Sequence, residues 1–190
     1  ARTVADRLTM YEKYAASFPE GWFRRVADRI ILLEDRDGNG AADHRSLFSD
    51  RFNRPEDGIG FSLLADDGSV YFTCIPSVWR LRDTDGDGKA DEEKEISTGY
   101  GVRVSFIGHD LHGLRIGPDG KLYFTIGDRG LNVKTKEGKQ LVYPDAGCLL
   151  RCELDGSELE IVHFGLRNPQ EIAFNEFGDL FTVDNNSDSG

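Results

Sequence analysis

The chain has 190 residues, 38% of them hydrophobic and 30% charged, with 22 Gly. That is enough for a folded core and too polar for a membrane protein, since no apolar run approaches the roughly 18 residues of a spanning helix. Lys and Arg number 23 against 34 Asp and Glu, a net charge of −11, which argues against a general nucleic-acid binder because neutralising phosphates needs a basic face.

Three scattered cysteines do not make a disulfide scaffold. Cys148 and Cys152 fall on one strand face, too far apart along it to bridge, and there is no CxxCH haem attachment site. The sequence starts at Ala1 with no initiator Met, signal peptide or lipid-attachment motif, and stops just after a strand-like run. It reads as a piece of a longer chain.

In chain order, Arg2–Ser17 comes first. Val4, Leu8, Tyr11 and Ala15 fall at helical spacing, which predicts an inserted helix covering a face. Arg29–Leu33, an Asp-rich turn and Ser46–Phe48 then read as a strand pair. Gly60–Cys74 reads as a β-hairpin turning at Gly68, and Val78–Leu81 leads through a second Asp-rich turn to Glu95-Ile96. The pattern repeats. Gly113–Ile126 is a hairpin turning at Gly120, and Cys148–Cys152 leads through Asp155-Gly156 to Leu159–Val162. Ile172–Val183 starts a third copy, turning at Gly178. Short apolar strands around Asp-Gly turns are hairpin signals.

Four antiparallel strands per repeat of roughly 50 residues is the pattern of a β-propeller blade. The expectation is an all-β chain of three to four partial or whole blades. Residues 1–53 hold the helix and the outer half of a blade, 54–107 and 108–165 are whole blades, and 166–190 is an inner half. A β-sandwich with accidental internal similarity is the rival reading.

The two Asp-rich turns are Asp35, Asp37, Asn39, Asp43 and Asp83, Asp85, Asp87, Asp91. Oxygens at positions 1, 3, 5 and 9, with Gly at 6 (Gly40, Gly88), match the front of a calcium loop. Ser46 and Lys94 stand where an EF-hand has its bidentate Glu, so these are hairpin loops rather than EF-hands. A plain polar turn has the same composition. Both turns join the third strand of a blade to the fourth, at the opposite end from the loops before the first strand and after the second.

That other end gathers four polar clusters: Gly108–Gly113, Gly127–Asn132, Leu166–Glu171 and Asp184–Asp188. A His beside an Asp can act as a general base. Arg and Asn donors can hold an anionic cofactor, and a turn dense in carbonyl oxygens can hold calcium. Each also has a structural reading: a loop histidine, a turn cap, a hairpin-orienting aspartate.

The segments from His109 to Asn132 (HDLHGLRIGPDGKLYFTIGDRGLN) and from Gly165 to Phe181 (GLRNPQEIAFNEFGDLF) resemble the soluble quinoprotein glucose dehydrogenases and the wider glucose/sorbosone dehydrogenase family. Those proteins are six-bladed propellers using pyrroloquinoline quinone and calcium. The Asp-rich hairpins and the helix resemble a divergent branch described as membrane-bound dehydrogenases, some with an added haem c domain. By position, the resemblance implies that His109 is the base taking the substrate hydroxyl proton and Asp128 the acid beside it. It places Arg167, Asn168 and Gln170 at the cofactor, Arg167 near the reacting quinone carbonyl. Backbone oxygens at Asp184 and Asn185 fall at its calcium site. Gly108, Gly113 and Glu56 depart from the family pattern, where an Asp, an Arg and a Gln stand, and Asp184-Asn185 replaces a Gly-Pro pair.

The resulting expectation is a quinone-dependent sugar or alcohol dehydrogenase-like oxidoreductase, with an electron acceptor such as a haem c domain or protein. By resemblance it works in the periplasm or outside the cell. A non-catalytic, calcium-stabilised binding propeller and a calcium-dependent lactone hydrolase are the alternatives.

Overall fold

The computed structural model describes residues 1–104 and 108–185. It holds one α-helix, α1 (Val4–Tyr14), and fourteen strands: β1 (Asp28–Glu34), β2 (His44–Phe52), β3 (Gly60–Asp66), β4 (Ser69–Cys74), β5 (Ser77–Arg82), β6 (Glu92–Thr98), β7 (Leu111–Ile116), β8 (Leu122–Ile126), β9 (Leu131–Lys134), β10 (Gln140–Tyr143), β11 (Gly147–Cys152), β12 (Glu160–Leu166), β13 (Ile172–Phe174) and β14 (Leu180–Thr182). The architecture is antiparallel β throughout. Two four-stranded sheets, β3-β4-β5-β6 and β7-β8-β11-β12, lie between two-stranded sheets β1-β2 and β13-β14, and β9-β10 is a separate hairpin.

Each sheet packs on the next in chain order. Ile30, Phe48 and Phe52 of β1-β2 meet Phe72, Cys74, Trp79 and Leu81. Tyr71, Val78 and Ile96 of the first four-stranded sheet share a core with Leu111, Leu114, Phe124 and Leu150 of the second. Tyr123 and Leu149 on the far face of that sheet meet Ile172, Phe174 and Leu180. This stacking explains why the inner strands do not alternate in hydrophobicity. β8 is buried at every position and β4 at all but one, because both faces are covered.

Helix α1 begins with a capping box, in which Thr3 Oγ1 accepts the Asp6 N–H and the Asp6 carboxylate accepts the Thr3 N–H. The expected apolar stripe is not what anchors it. Ala15 is exposed in a 3₁₀ turn (Ala15–Ser17), Val4, Leu8 and Tyr11 are half-buried, and the side chain that α1 buries is Arg7. Arg7 Nη2 donates to the Glu56 carbonyl at 2.8 Å. The helix lies on loop backbone, where carbonyl oxygens need donors more than methyl contacts.

Bonds between sheets fix which ends coincide. Gly60 N–H donates to Asp28 Oδ2 at 2.6 Å, joining the starts of β1 and β3. Gly113 N–H donates to Ser62 Oγ at 2.9 Å, and Thr73 Oγ1 donates to the Leu111 carbonyl at 3.0 Å, joining the β3/β4 end to the start of β7. The β1–β2 and β5–β6 turns therefore lie at the opposite end from the loops that flank β7 and β8.

Candidate functional site

Two loops meet at the start of β7. Gly108 (φ +96°) turns the chain into His109 and Asp110, while Gly127 and Asp128 leave the end of β8. Gly127 N–H donates to the Asp110 carbonyl at 3.2 Å. A Cβ on Gly127 would sit 2.7 Å from the His109 carbonyl oxygen, so the close approach needs glycine. His109 Nδ1 lies 2.8 Å from Asp128 Oδ1. His109 is buried, and the Asp128 side chain is 29% exposed. An ionised carboxylate only accepts, so Nδ1 carries the proton in the neutral ring and Nε2 holds the basic lone pair.

The third and fourth loops join the same network. Asp128 N–H donates to the Arg167 carbonyl at 2.7 Å. The N–H groups of Arg167 and Asn168 donate to Asp184 Oδ2 and Oδ1 at 2.8 and 2.7 Å. Arg167 Nη1 donates to the Asn185 carbonyl at 2.9 Å and lies 3.3 Å from its Oδ1. Gln170 is exposed, and its carbonyl approaches Gly113, where a Cβ would sit 3.2 Å away. The structure thus brings His109, Asp128, Arg167, Asn168, Asp184 and Asn185 to one end of the stacked sheets. Asn186, Ser187 and Asp188, the rest of the expected fourth cluster, lie outside the described residues. A cleft of about 470 Å³ beside α1, lined by Ala1, Arg2, Asp6, Met10, Arg103 and Val104, does not include these residues.

Behind the dyad is a second, buried pair. Arg129 Nη1 lies 2.5 Å from Asp110 Oδ1, with Asp110 1% and Arg129 8% exposed. Burial pushes the Asp110 carboxyl above its usual range, and the Arg129 guanidinium opposes that push. His112 Nε2 donates to the Gly108 carbonyl at 2.8 Å, and its ring packs on Phe61. Burial holds the His112 imidazole below the usual range, against the pull of that bond. Sequence reasoning assigned no role to Arg129, Arg7 or His112. The adjacent dipeptides His109-Asp110 and Asp128-Arg129, opposite in charge order, were the available signal.

The donor set divides between the groups the resemblance implies. Asn168 is buried, and its Oδ1 has no hydrogen-bond partner among the described residues. An orphaned acceptor beside a His–Asp dyad fits a group that presents a donor there. The Asp184 carboxylate and the Asn185 carbonyl are already engaged within the chain. Both Asp184 carboxylate oxygens accept backbone N–H bonds, and Arg167 Nη1 donates to the Asn185 carbonyl, so a guanidinium is bound at the Asn185 oxygen.

The acidic turns are different. Ligand oxygens of Asp35, Asp37 and Asp43 lie within 4.8 Å of one another, as do those of Asp83, Asp85 and Asp91. Asn39 and Asp87 are turned to their own loops: Asn39 Nδ2 donates to Asp37 Oδ2, and Asp87 faces Lys89 Nζ at 3.6 Å. Backbone N–H groups, foremost those of Gly40, Gly88 and Thr84, hold Asp35, Asp83 and Asp91 respectively below the ordinary carboxylate range.

No curated protein matches the chain. A solved structure described as a protein of unknown function from Bacteroides caccae is similar at 10% identity, over 85% of this chain and 70% of that one, with a TM-score of 0.31. A family model, "Domain of unknown function (DUF7133)", matches residues 9–190. The chain belongs to the DUF7133 family.

Proposed function

We propose that this chain is part of a β-propeller in a quinone-dependent sugar or alcohol dehydrogenase-like oxidoreductase. Four-stranded sheets stacked face to face in chain order support the propeller. The observation that carries the chemistry is the 2.8 Å bond between His109 Nδ1 and Asp128 Oδ1, on a loop end shared with Arg167 and Asn168.

In this reading His109 Nε2 takes the proton of a substrate hydroxyl. Asp128 fixes the ring tautomer and stabilises the imidazolium that forms. Asn168, Arg167 and Gln170 would hold pyrroloquinoline quinone, which when bound supplies the hydride acceptor. Arg167, braced by Asn185, keeps a guanidinium at this end of the sheets. The two acidic triads are calcium loops that stabilise the distant end. Electrons leave to an acceptor such as a haem c domain or protein, and the protein works in the periplasm or outside the cell.

The test is reconstitution of the full-length gene product with pyrroloquinoline quinone and calcium, followed by dye reduction over a panel of sugars and alcohols. Turnover that His109→Ala abolishes while cofactor binding persists supports the reading. Turnover retained in His109→Ala removes His109 from the chemistry. The Arg167 guanidinium on the Asn185 carbonyl favours a second reading, a non-catalytic binding propeller, and absence of quinone binding would select it.

A further inference from the structure

The dipeptides His109-Asp110 and Asp128-Arg129 pair residue by residue across the two loops, His109 with Asp128 and Asp110 with Arg129. The first pair reaches solvent through Asp128, and the second is enclosed. We infer that the buried Asp110–Arg129 pair is the positioning element of the His109–Asp128 dyad. The inference rests on the reading of His109 as a base.

Two observations carry it. Arg129 is held at two guanidinium nitrogens, Nη1 by Asp110 Oδ1 and Nε by the Arg103 carbonyl at 3.0 Å. Its backbone position is thereby fixed, and with it that of Asp128, the preceding residue. On the facing loop, the Asp110 carbonyl accepts from Gly127 N–H, so residue 110 is clamped by main chain and side chain together. A planar, forked guanidinium holds both partners in one geometry, which an ammonium does not. Slackening of this pair should let the His109 ring leave Asp128 without unfolding the sheets.

The test is ¹⁵N NMR of the imidazole rings in the chain without added cofactor, in the wild type, Arg129→Lys and Asp110→Asn. The wild type should show His109 in the single Nδ1–H tautomer. Arg129→Lys, which keeps the charge and the fold, should give a mixture of tautomers and solvent exchange of the ring proton about tenfold faster. His163, exposed on β12, should keep its signals and serves as the internal reference. If Asp110→Asn fails to fold, Arg129→Lys still decides. A folded Arg129→Lys with wild-type His109 shifts overturns the inference. Dye reduction plays no part in this readout, so failure of the dehydrogenase reading and failure of the positioning role are separate outcomes.

Discussion

Gly127 lies against the backbone of His109, close enough that a Cβ there would stand 2.7 Å from its carbonyl oxygen and 2.9 Å from its Cα. The obstructing atoms are main chain, which cannot rotate away. Gly127→Ala must therefore separate the loop before β7 from the loop after β8, and that separation stretches the His109–Asp128 bond. The expected cost is about 1–3 kcal/mol, as for other overpacked sites. Chemical denaturation measures it, and His109 ring NMR should show the dyad broken. An alanine variant with unchanged stability and ring signals would mean the loops can part freely.

His112 makes stability depend on pH. Its imidazole is held below the ordinary value of 6.5, chiefly by burial. The unfolded chain then binds a proton that the native state refuses. This contribution is complete above pH 6.5 and is lost as pH falls below it, levelling off once the folded ring also protonates. Urea midpoints should be lower at about pH 5.5 than at about pH 7.5. His112→Gln keeps an N–H for the Gly108 carbonyl but cannot titrate, so it should flatten that slope. An equal slope in the variant would assign the pH dependence elsewhere.

The repeat made the sheet order and the shared loop end legible, because Asp-Gly and Asp-rich turns punctuate short apolar strands at a regular spacing. Hairpin β9-β10 was not legible. Its strands are four residues each, and its turn region, Thr135–Lys139, is charged and reads as loop. It lies in a segment that the repeat assigned as a connection. Arg7 was hidden for another reason. Helical periodicity ranks apolar positions, but the burial of an arginine depends on a carbonyl 49 residues away. Topology put the His109 and Asp128 loops at one end, and the family resemblance put the two side chains together. The Asp110–Arg129 contact was not legible in that way, since a His-Asp dipeptide gives no sign of which side chain faces inward.

The buried pair also sets a stability test. Asp110→Asn leaves the Arg129 guanidinium 8% exposed with only a neutral partner. Removing one member of a buried ion pair costs about 3–5 kcal/mol. Asp110→Leu combined with Arg129→Met removes both charges, and its loss should be much smaller than that of the single variant. Thermal and urea unfolding of the three proteins decide this. A double variant as unstable as Asp110→Asn would show that the pair is needed for its bonds rather than its charge balance.

The acidic turns give the last prediction. In each, three carboxylates converge within 4.8 Å, and the Gly40 and Gly88 N–H groups keep Asp35 and Asp83 ionised. Three negative oxygens at that spacing repel one another unless a cation lies between them. Bound only by the folded turn, calcium shifts the unfolding equilibrium by mass action. Saturating calcium should therefore raise the thermal midpoint by at least about 2 °C, and magnesium should do so less because it needs a tighter octahedral shell. Asp35→Asn and Asp83→Asn should each remove part of the increase, and the double variant all of it. These turns lie at the far end of the sheets from His109, so the same variants should leave its ring signals unchanged. A midpoint indifferent to calcium in the wild type would reduce both turns to hydrogen-bonded hairpin loops.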